Sequence, residues 1–383
     1  MAFQFTLPGK IFIGEQALSM AESSVKELGD KAFIVTGKHV TKSGLVKKLT
    51  DVLEEWNISY EIFNDITGEP TDTMIETGIK AYKETGCNFL IGIGGGSPLD
   101  SVKAIAAMSA LGGNIVDYMG KEIVGEFPPM VLIPTTAGTG SETTKFTIIT
   151  DTKKDVKMLL KGDALLPDVA VVDAAFTMTA PKSVTAATGM DALTHAIESY
   201  TSKKGNVYTD MYAITAIKRI FQYLPLAYEN GEDAKARAEM SMAAFEAGVC
   251  INNASVTLVH GMSRPIGALF HVPHGISNAM LILECLKFAL DGCYKRFADI
   301  ARAIGAATEE DDEVAAKKFL NELEVLCKKV EIPTLVAYGI EKDKFFQVMD
   351  KMAEDAMASG SPANTIKKVT KEDLICIYKK LWK

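Results

Sequence analysis

Residues 89–106 read FLIGIGGGSPLDSVKAIA, and this stretch contains the strongest fold signal in the chain. The apolar run Phe89–Ile93 predicts a buried strand, and the residues from Pro98 onward predict a helix over 98–110. Ser97 is a typical N-cap residue, and Pro98 suits the first helical position. The sequence therefore predicts a strand, a glycine turn and a helix, which is the repeating unit of an α/β domain.

The turn of this unit, Gly94-Gly95-Gly96-Ser97, suits a phosphate group. Glycines let the backbone approach a ligand closely and adopt positive φ angles. The free N–H groups and the dipole at the start of the following helix attract an anion such as a pyrophosphate. Asp100 and Ser97 are spaced as a capping box, which is a sufficient structural role for Asp100. A tight turn without a ligand is the alternative interpretation.

Strand and helix patterns alternate on both sides of this unit, up to about residue 178. Such alternation, with helices of about 10–15 residues, predicts βαβ units and a mostly parallel sheet. We therefore predict an α/β domain over residues 1–178. The predicted strands or extended stretches are Phe3–Ile13, Ala32–Val35, Ser59–Phe63, Phe89–Ile93, Met130–Ile133, Phe146–Thr150 and Val169–Val172, and the other predicted helices are Ala17–Leu28, Leu45–Trp56 and Thr71–Thr85.

Val-rich strands stop after this point, and helical periods rich in Ala, Met and Leu follow. Thr179 could cap a helix that has Pro181 in its first turn, so the domain boundary is predicted there. The sequence thus predicts an all-α domain over residues 179–383. Its predicted helices are Thr185–Tyr200, Val207–Leu224, Ala234–Asn253, Asp291–Ile304, Asp311–Val330, Lys342–Ala356 and Lys371–Lys380.

The bulk composition argues against several classes of protein. A chain of 383 residues usually forms two domains, and a net charge of −8 disfavours nucleic-acid binding. The six cysteines include no CxxC pair, which indicates buried, reduced thiols and no disulfide framework. We find neither a signal peptide nor an apolar stretch of about 18 residues. We therefore expect a cytoplasmic protein with no membrane or nucleic-acid partner.

Asp191 and the histidines of the helical half indicate a metal site. Asp191 and His195 are four residues apart, which places both on one face of a helix. On a straight helix His260 and His274 would lie roughly 21 Å apart. Their segment, which also holds His271, is however interrupted by helix-breaking residues, namely Pro265, Gly267, Pro273 and Gly275.

A broken path can bring these imidazoles together, although spacing alone does not choose among them. One carboxylate with several imidazoles suits Fe²⁺, Zn²⁺ or a similar ion. Hydrogen-bonded helix histidines are the alternative. A second loop, Pro134–Glu142, follows a strand and offers hydroxyls and flexible backbone, which suits either a cofactor or an ordinary polar loop.

Four motifs together resemble those of the iron-dependent alcohol dehydrogenases, the metal-containing group that includes lactaldehyde reductase, 1,3-propanediol dehydrogenase and butanol dehydrogenases. The motifs are GGGSPLDSVKAIA (94–106), IPTTAGTGSE (133–142), GMDALTHAIESY (189–200) and HGMSRPIGALFHVPHG (260–275). The likeness runs nearly end to end. It implies a Rossmann-like N-terminal domain, a helical C-terminal domain, a site in the cleft between them, and a homodimer.

The resemblance also implies roles for individual residues. The implied metal ligands are Asp191, His195, His260 and His274, so that His260 and His274 are chosen over His271. The implied pyrophosphate contacts are Gly94, Gly95, Gly96 and Ser97, with Asp100 nearby. Further implied cofactor contacts are Glu69, Thr135, Thr136, Thr144 and Lys157.

The implied reaction is hydride transfer between NAD(P)(H) and a small primary alcohol or aldehyde. Fe²⁺, or alternatively Zn²⁺, would polarise the substrate oxygen as a Lewis acid. A dehydroquinate-synthase-like lyase is the alternative on the same fold. It needs several basic residues in its site, whereas the metal segments here are poor in Lys and Arg apart from Arg264. A cofactor-binding regulator without catalysis is a third interpretation.

Two positions depart from the family pattern. NAD-preferring members often carry Asp after the second strand, where this chain has Gly37. Repulsion of a 2′-phosphate is then absent, and Lys38 or His39 could attract one, so NADP(H) is favoured over NAD(H). Some members have a further His four residues after the first motif His. Here that residue is Arg264, which stays protonated. His271 is the nearest replacement as a catalytic proton relay, and a structural role is its alternative.

Overall fold

The computed structural model describes residues 2–154 and 156–382. The chain divides into two compact units between Ala180 and Pro181. Within the described residues every strand lies in the first unit, whereas the second unit is built from helices. The predicted class, an α/β N-terminal part with a mostly parallel sheet and an all-α C-terminal part, is therefore confirmed.

Six parallel strands form the sheet of the first unit in the order β1-β8-β5-β4-β2-β3, and β6 and β7 form a separate antiparallel pair. The sequence does not predict β7, because two of its six residues are lysines. The strands are β1 (Lys10–Ile13), β2 (Lys31–Val35), β3 (Ser59–Phe63), β4 (Phe89–Gly94), β5 (Met130–Pro134), β6 (Phe146–Asp151), β7 (Val156–Lys161) and β8 (Val169–Val172).

The central strands supply two hydrophobic cores, one on each face of the sheet. Along β2, Phe33 and Val35 belong to one buried cluster, whereas Ala32 and Ile34 belong to the other. This alternation is expected of a sheet that helices cover on both faces. The helices of this unit are α1 (Ala17–Met20), α2 (Glu22–Lys26), α3 (Lys38–Lys42), α4 (Leu45–Glu55), α5 (Asp72–Thr85) and α6 (Gly96–Leu111).

One predicted helix of this unit is interrupted. The stretch 17–28 forms α1 and α2, with Ala21 between them at φ −80° and ψ −4°. The N–H of Ala21 points to the carbonyls of both Ala17 and Leu18, so the helix tightens locally here. The extended stretch predicted over residues 3–13 forms a strand only in β1.

The second unit contains ten α-helices within its described residues. They are α7 (Lys182–Tyr200), α8 (Val207–Glu229), α9 (Ala234–Asn253), α10 (Leu258–Phe270), α11 (His274–Ala289), α12 (Tyr294–Ala303), α13 (Asp312–Lys329), α14 (Leu335–Tyr338), α15 (Lys342–Ala358) and α16 (Lys371–Lys380). Of the four predicted helix-breaking residues, Pro265 and Gly267 do not interrupt the helix, because α10 runs through both, whereas the break does lie next to Pro273. It ends where His271 adopts a left-handed conformation, at φ 53°, and Pro273 follows.

Two further expectations concern membrane-spanning helices and the cysteines. Within residues 2–154 and 156–382, no single helix is both long and apolar enough to cross a membrane. The pair α9 and α10, bent by 101° between them, is long and apolar enough only when the two helices are taken together. All six cysteines are free. The expectation that they are buried holds for Cys87, Cys250 and Cys285 but is wrong for Cys376, which is exposed.

Candidate functional site

The loops that follow β2, β4 and β5 lie side by side, because these strands are neighbours in a parallel sheet. The Thr36 hydroxyl, just after β2, donates to the Ile93 carbonyl at 2.8 Å. The Thr135 N–H, just after β5, donates to the Gly94 carbonyl at 2.8 Å. The carboxyl edge of the sheet, where ligands of open α/β sheets bind, therefore collects the glycine turn and the hydroxyl-bearing loop.

The glycine turn differs in detail from its prediction. Helix α6 begins at Gly96 with Gly95 as its N-cap, and no side chain caps it. The predicted N-cap role of Ser97 and its capping box with Asp100 are therefore wrong. Of the three glycines, only Gly94 has a positive φ, 157°. The start of α6 still has unsatisfied backbone N–H groups and the positive end of the helix dipole, which suit a phosphate.

Asp100 ties the hydroxyl-bearing loop to α6. Its carboxylate accepts hydrogen bonds from the Ser141 hydroxyl at 2.6 Å and from the Ile148 N–H at 2.8 Å. The backbone oxygen of Asp100 also accepts from the Thr147 hydroxyl at 2.8 Å. Asp100 therefore fixes the loop and the start of β6, which accounts for a partly buried carboxylate at this position without a cap.

A fully buried lysine, Lys103, reinforces the same attachment. Its ammonium donates to the carbonyls of Ser141 at 2.6 Å, Thr144 at 2.7 Å and Phe146 at 2.9 Å. Burial lowers the pKa of Lys103 to about 8, although the nearby Asp100 opposes this. Lys103 was not among the functional residues predicted from the sequence. The sequence feature that could have indicated Lys103 is its charge in a mostly apolar helix, one turn after Asp100.

The remaining candidate cofactor residues fall into two groups. Thr135 is buried and Thr136 is partly exposed beside the glycine turn, 3.5 Å from where a Cβ on Gly95 would lie. The Thr144 hydroxyl is engaged internally with the Ser141 carbonyl at 3.2 Å. The structure also pairs two candidates, because the Lys157 ammonium lies 3.2 Å from the Glu69 carboxylate. Their contacts with a cofactor stay predictions.

The four predicted metal ligands come together in the second unit. Asp191, His195, His260 and His274 each offer one ligand atom, and these atoms lie within 4.8 Å of one another. Asp191 Oδ1 is 3.7 Å from Nε2 of His260 and of His274, and 4.0 Å from Nε2 of His195. Donors held about 2.1 Å from one tetrahedral ion would be about 3.4 Å apart, so these spacings are close to those of a metal site.

Three helices assemble this cluster. Asp191 and His195 lie on one face of α7, His260 lies in the first turn of α10, and His274 begins α11. The His260 ring is 4.6 Å from that of His195 and 5.2 Å from that of His274, between centroids. A Cβ on Gly275 would lie 2.5 Å from the Ala187 carbonyl oxygen, so glycine is what lets α11 approach α7 this closely.

A buried carboxylate behind His260 orients its ring. Glu198 Oε2 hydrogen-bonds Nδ1 of His260, and Oε1 accepts from the Thr257 hydroxyl at 2.8 Å and the Val259 N–H at 2.6 Å. A proton on Nδ1 leaves the Nε2 lone pair directed at the other donors, which is the usual arrangement behind metal-bound histidine. Glu198 was not predicted from the sequence, although it lies three residues after His195 and seven after Asp191 and so shares their helix face.

The side-chain amide of Asn278 joins three of the donors. Its Nδ2 donates to Asp191 Oδ1 at 2.7 Å and lies 3.1 Å and 3.2 Å from Nε2 of His260 and His274. Asn278 is fully buried, one helical turn after His274 on α11. This second missed residue had the same four-residue spacing that marked Asp191 and His195.

The chemistry of the donor set fits a divalent ion. Burial, followed by the neighbouring imidazoles of His195 and His274, lowers the pKa of His260 well below its usual value, so its ring is neutral and able to donate a lone pair. One carboxylate and three imidazoles without a thiolate suit Fe²⁺ or Zn²⁺. Asp191, His195, His260 and His274 would hold such an ion.

Two further residues of α10 lie apart from the four donors. His271 is exposed and terminates the helix. The structure does not include it in the donor cluster. Arg264 is partly buried, and its Nη1 donates to the Ser361 hydroxyl at 3.3 Å. Whether His271 relays protons stays a prediction.

Comparison with known proteins agrees with this geometry. Residues 8–174 match a family model described as iron-containing alcohol dehydrogenase, and residues 185–382 match one described as the C-terminal part of the Fe-containing alcohol dehydrogenase family. These matches favour an alcohol or aldehyde oxidoreductase over the dehydroquinate-synthase-like alternative.

The matches to individual relatives cover almost the whole chain. The NAD-dependent methanol dehydrogenase of Bacillus methanolicus is 38% identical over 94% of this chain and 95% of its own length. The 1,3-propanediol dehydrogenase of Citrobacter freundii is 34% identical over 98% of both chains. The crystal structure of a 1,3-propanediol oxidoreductase superimposes with a TM-score of 0.96, at 33% identity and 100% coverage of both chains.

Glu198→Gln should weaken metal binding by about 10- to 100-fold, because an amide is a weaker acceptor for the His260 N–H. The dissociation constant can be measured anaerobically by competition with a chromogenic chelator. Glu246→Gln is a matched control, since this buried acid pairs with Arg219 on α8. An unchanged dissociation constant in folded Glu198→Gln protein would show that Glu198 does not support the ligand set.

Proposed function

Because the chain belongs to the iron-containing alcohol dehydrogenase family, we propose that it transfers hydride between a nicotinamide cofactor and a small primary alcohol or aldehyde at the Asp191, His195, His260 and His274 cluster. The convergence of these four donors is the observation that carries the proposal. The proposed ion is Fe²⁺, with Zn²⁺ as the alternative. The glycine turn and the loop 134–142 are the proposed cofactor contacts.

Each part of the site has a separate task in this proposal. A divalent ion with a single carboxylate ligand would keep a net charge of about +1 and supply Lewis-acid polarisation of the substrate oxygen. Through hydrogen bonds, Glu198 holds the His260 ring and Asn278 holds the Asp191 carboxylate, which leaves the Nε2 lone pairs of His260 and His274 for the ion. The N–H groups at the start of α6 bind the pyrophosphate and so orient the nicotinamide, which carries the hydride chemistry.

Removing the metal should abolish turnover. We expect chelated protein to lose activity with short alcohols and aldehydes, followed through the cofactor absorbance at 340 nm, and to regain it on anaerobic addition of Fe²⁺. Asp191→Asn should reduce turnover by more than about a hundredfold, since even outer partners of a ligand contribute 10- to 100-fold. Full activity in protein shown by elemental analysis to be metal-free would contradict the proposal.

We further propose that NADP(H) is accepted and favoured. No carboxylate follows β2 at Gly37, and a Cβ there would lie 2.8 Å from the Ile66 carbonyl oxygen, so a larger side chain does not fit. Lys38 is exposed and would attract a 2′-phosphate, although its ammonium also lies 3.3 Å from the Asp65 carboxylate. This ion pair reduces the attraction, and the Bacillus methanolicus relative is named for NAD.

Asp65→Asn should raise the ratio of kcat/KM for NADPH to that for NADH by about two- to fivefold, as expected for releasing one exposed ion pair. Lys38→Ala should lower the same ratio. Asp51→Asn is the control, because it releases a comparable exposed pair with Lys47 on α4. A strong preference of the unsubstituted enzyme for NADH at equal cofactor concentrations would exclude the NADP(H) proposal.

His271 is proposed to exchange the alcohol proton with solvent, since its side chain is exposed three residues before His274. Its left-handed backbone supports the competing structural role. His271→Asn and His271→Gly both tolerate that backbone and remove the imidazole. We expect both variants to fold and to show an altered pH profile of kcat. Unchanged profiles in both would leave His271 as a helix terminator only.

A cytoplasmic homodimer without a nucleic-acid or membrane partner is proposed on the sequence alone. The dimer part follows from family resemblance, and the lack of a nucleic-acid partner follows from the net charge of −8. Sedimentation equilibrium of the purified protein measures the mass directly.

A further inference from the structure

Arg264 lies one helical turn after His260 on α10. Residues four apart on a helix share one face, so the guanidinium and the His260 ring project to the same side. The rise over four residues is roughly 6 Å. The Arg264 side chain thus begins one helical turn from that of His260, on the same face of α10.

Few of the N–H groups of the Arg264 guanidinium are hydrogen-bonded to the protein. Its one described hydrogen bond is the 3.3 Å contact with Ser361, although an arginine has five N–H donors. Within the described residues no carboxylate lies within ion-pair distance of Arg264, whereas Arg219, Arg296 and Arg302 each have an acidic partner. No nitrogen of Arg264 is among the buried atoms that lack a hydrogen-bond partner, so its free N–H groups are accessible to an anion.

The nearest buried acid cannot serve as that anion. Glu198 acts on Arg264 only at a distance, and both of its oxygens are engaged, by His260 on one side and by Thr257 and Val259 on the other. The positive charge of the Arg264 guanidinium is therefore not paired by Glu198. Arginine stays protonated, so this charge is permanent.

We propose that Arg264 binds a carboxylate or a similar oxyanion at the far end of the substrate, so that the enzyme favours short aldehydes that carry a terminal anionic group. The proposal rests on the proposed function and names its substrate class. Arginine suits this task because its planar fork binds a carboxylate through two hydrogen bonds. A suitable probe is 4-oxobutanoate, a four-carbon aldehyde that ends in a carboxylate.

The cofactor supplies the two electrons that reduce such a substrate. Hydride leaves C4 of NAD(P)H and forms a C–H bond at the aldehyde carbon, while a proton from solvent is added to the oxygen. The products are the ω-hydroxy acid anion and NAD(P)⁺. The terminal oxyanion is unchanged, so Arg264 contributes binding and orientation alone.

The competing explanation is that Arg264 only balances the buried charge of Glu198. Comparing 4-oxobutanoate with butanal separates the two, because the substrates differ in their terminal charge. We expect the unsubstituted enzyme to have the higher kcat/KM for 4-oxobutanoate. In Arg264→Gln the ratio of the two kcat/KM values should fall roughly 10- to 100-fold, mainly through KM, as expected for losing a charge-assisted pair. Arg264→Lys should retain part of the preference.

Arg302→Gln is the matched control, because it removes an equal charge that pairs with Asp312 away from the donors. Metal content is measured for every variant. A readout independent of turnover is calorimetric titration with butanoate, which should bind the unsubstituted protein and bind Arg264→Gln at least tenfold more weakly. Equal losses for both aldehydes, or unchanged butanoate binding, would overturn the proposal for Arg264.

Failure of the proposed function gives a different pattern. In that case the metal-loaded protein turns over neither aldehyde and none of the short alcohols, while the butanoate titrations still report on Arg264. Turnover of butanal with no preference for 4-oxobutanoate would instead retain the oxidoreductase and reject the anionic substrate class.

Discussion

The reversal of the chain between Phe270 and His274 is the constraint on which the metal cluster depends. His271 turns the backbone into the left-handed region, Pro273 prevents helix continuation, and His274 begins α11. Without this reversal the rings of His260 and His274 would be separated by roughly 21 Å, and no ion could contact both. With it, their centroids are 5.2 Å apart. The close approach of Gly275 to α7 then adds Asp191 and His195.

Much of the architecture could be predicted because it depends on local periodicity. Short apolar runs separated by helical periods are sufficient to predict a parallel sheet, and Asp191 with His195 follows from helical spacing. The pairing of His260 with His274 could not be predicted this way, because it depends on where a helix breaks. Pro265 suggested the wrong place, since tertiary packing keeps α10 continuous through it.

The residues that were missed are those whose roles are defined by contacts between elements. Glu198 and Asn278 had the correct spacing, but their partners lie on other helices, which a single sequence does not reveal. The capping box at Ser97 failed for a related reason. The carboxylate of Asp100 hydrogen-bonds Ser141 and Ile148 and not the helix end, because a partly buried carboxylate gains more from two loop donors than from a cap.

The candidate metal ligands and the candidate cofactor contacts lie in different units, and this separation has a thermodynamic consequence. All four donors, together with Glu198 and Asn278, belong to residues 181–382, whereas the glycine turn and the hydroxyl-bearing loop belong to residues 2–180. A ligand that binds only the folded form stabilises what it binds by an amount that grows with its concentration. On the proposed function, metal supply and nucleotide supply would therefore act on the unfolding equilibria of different halves of the chain. Scarcity of iron would expose the helical half to unfolding and proteolysis, while the nucleotide pool continued to protect the other.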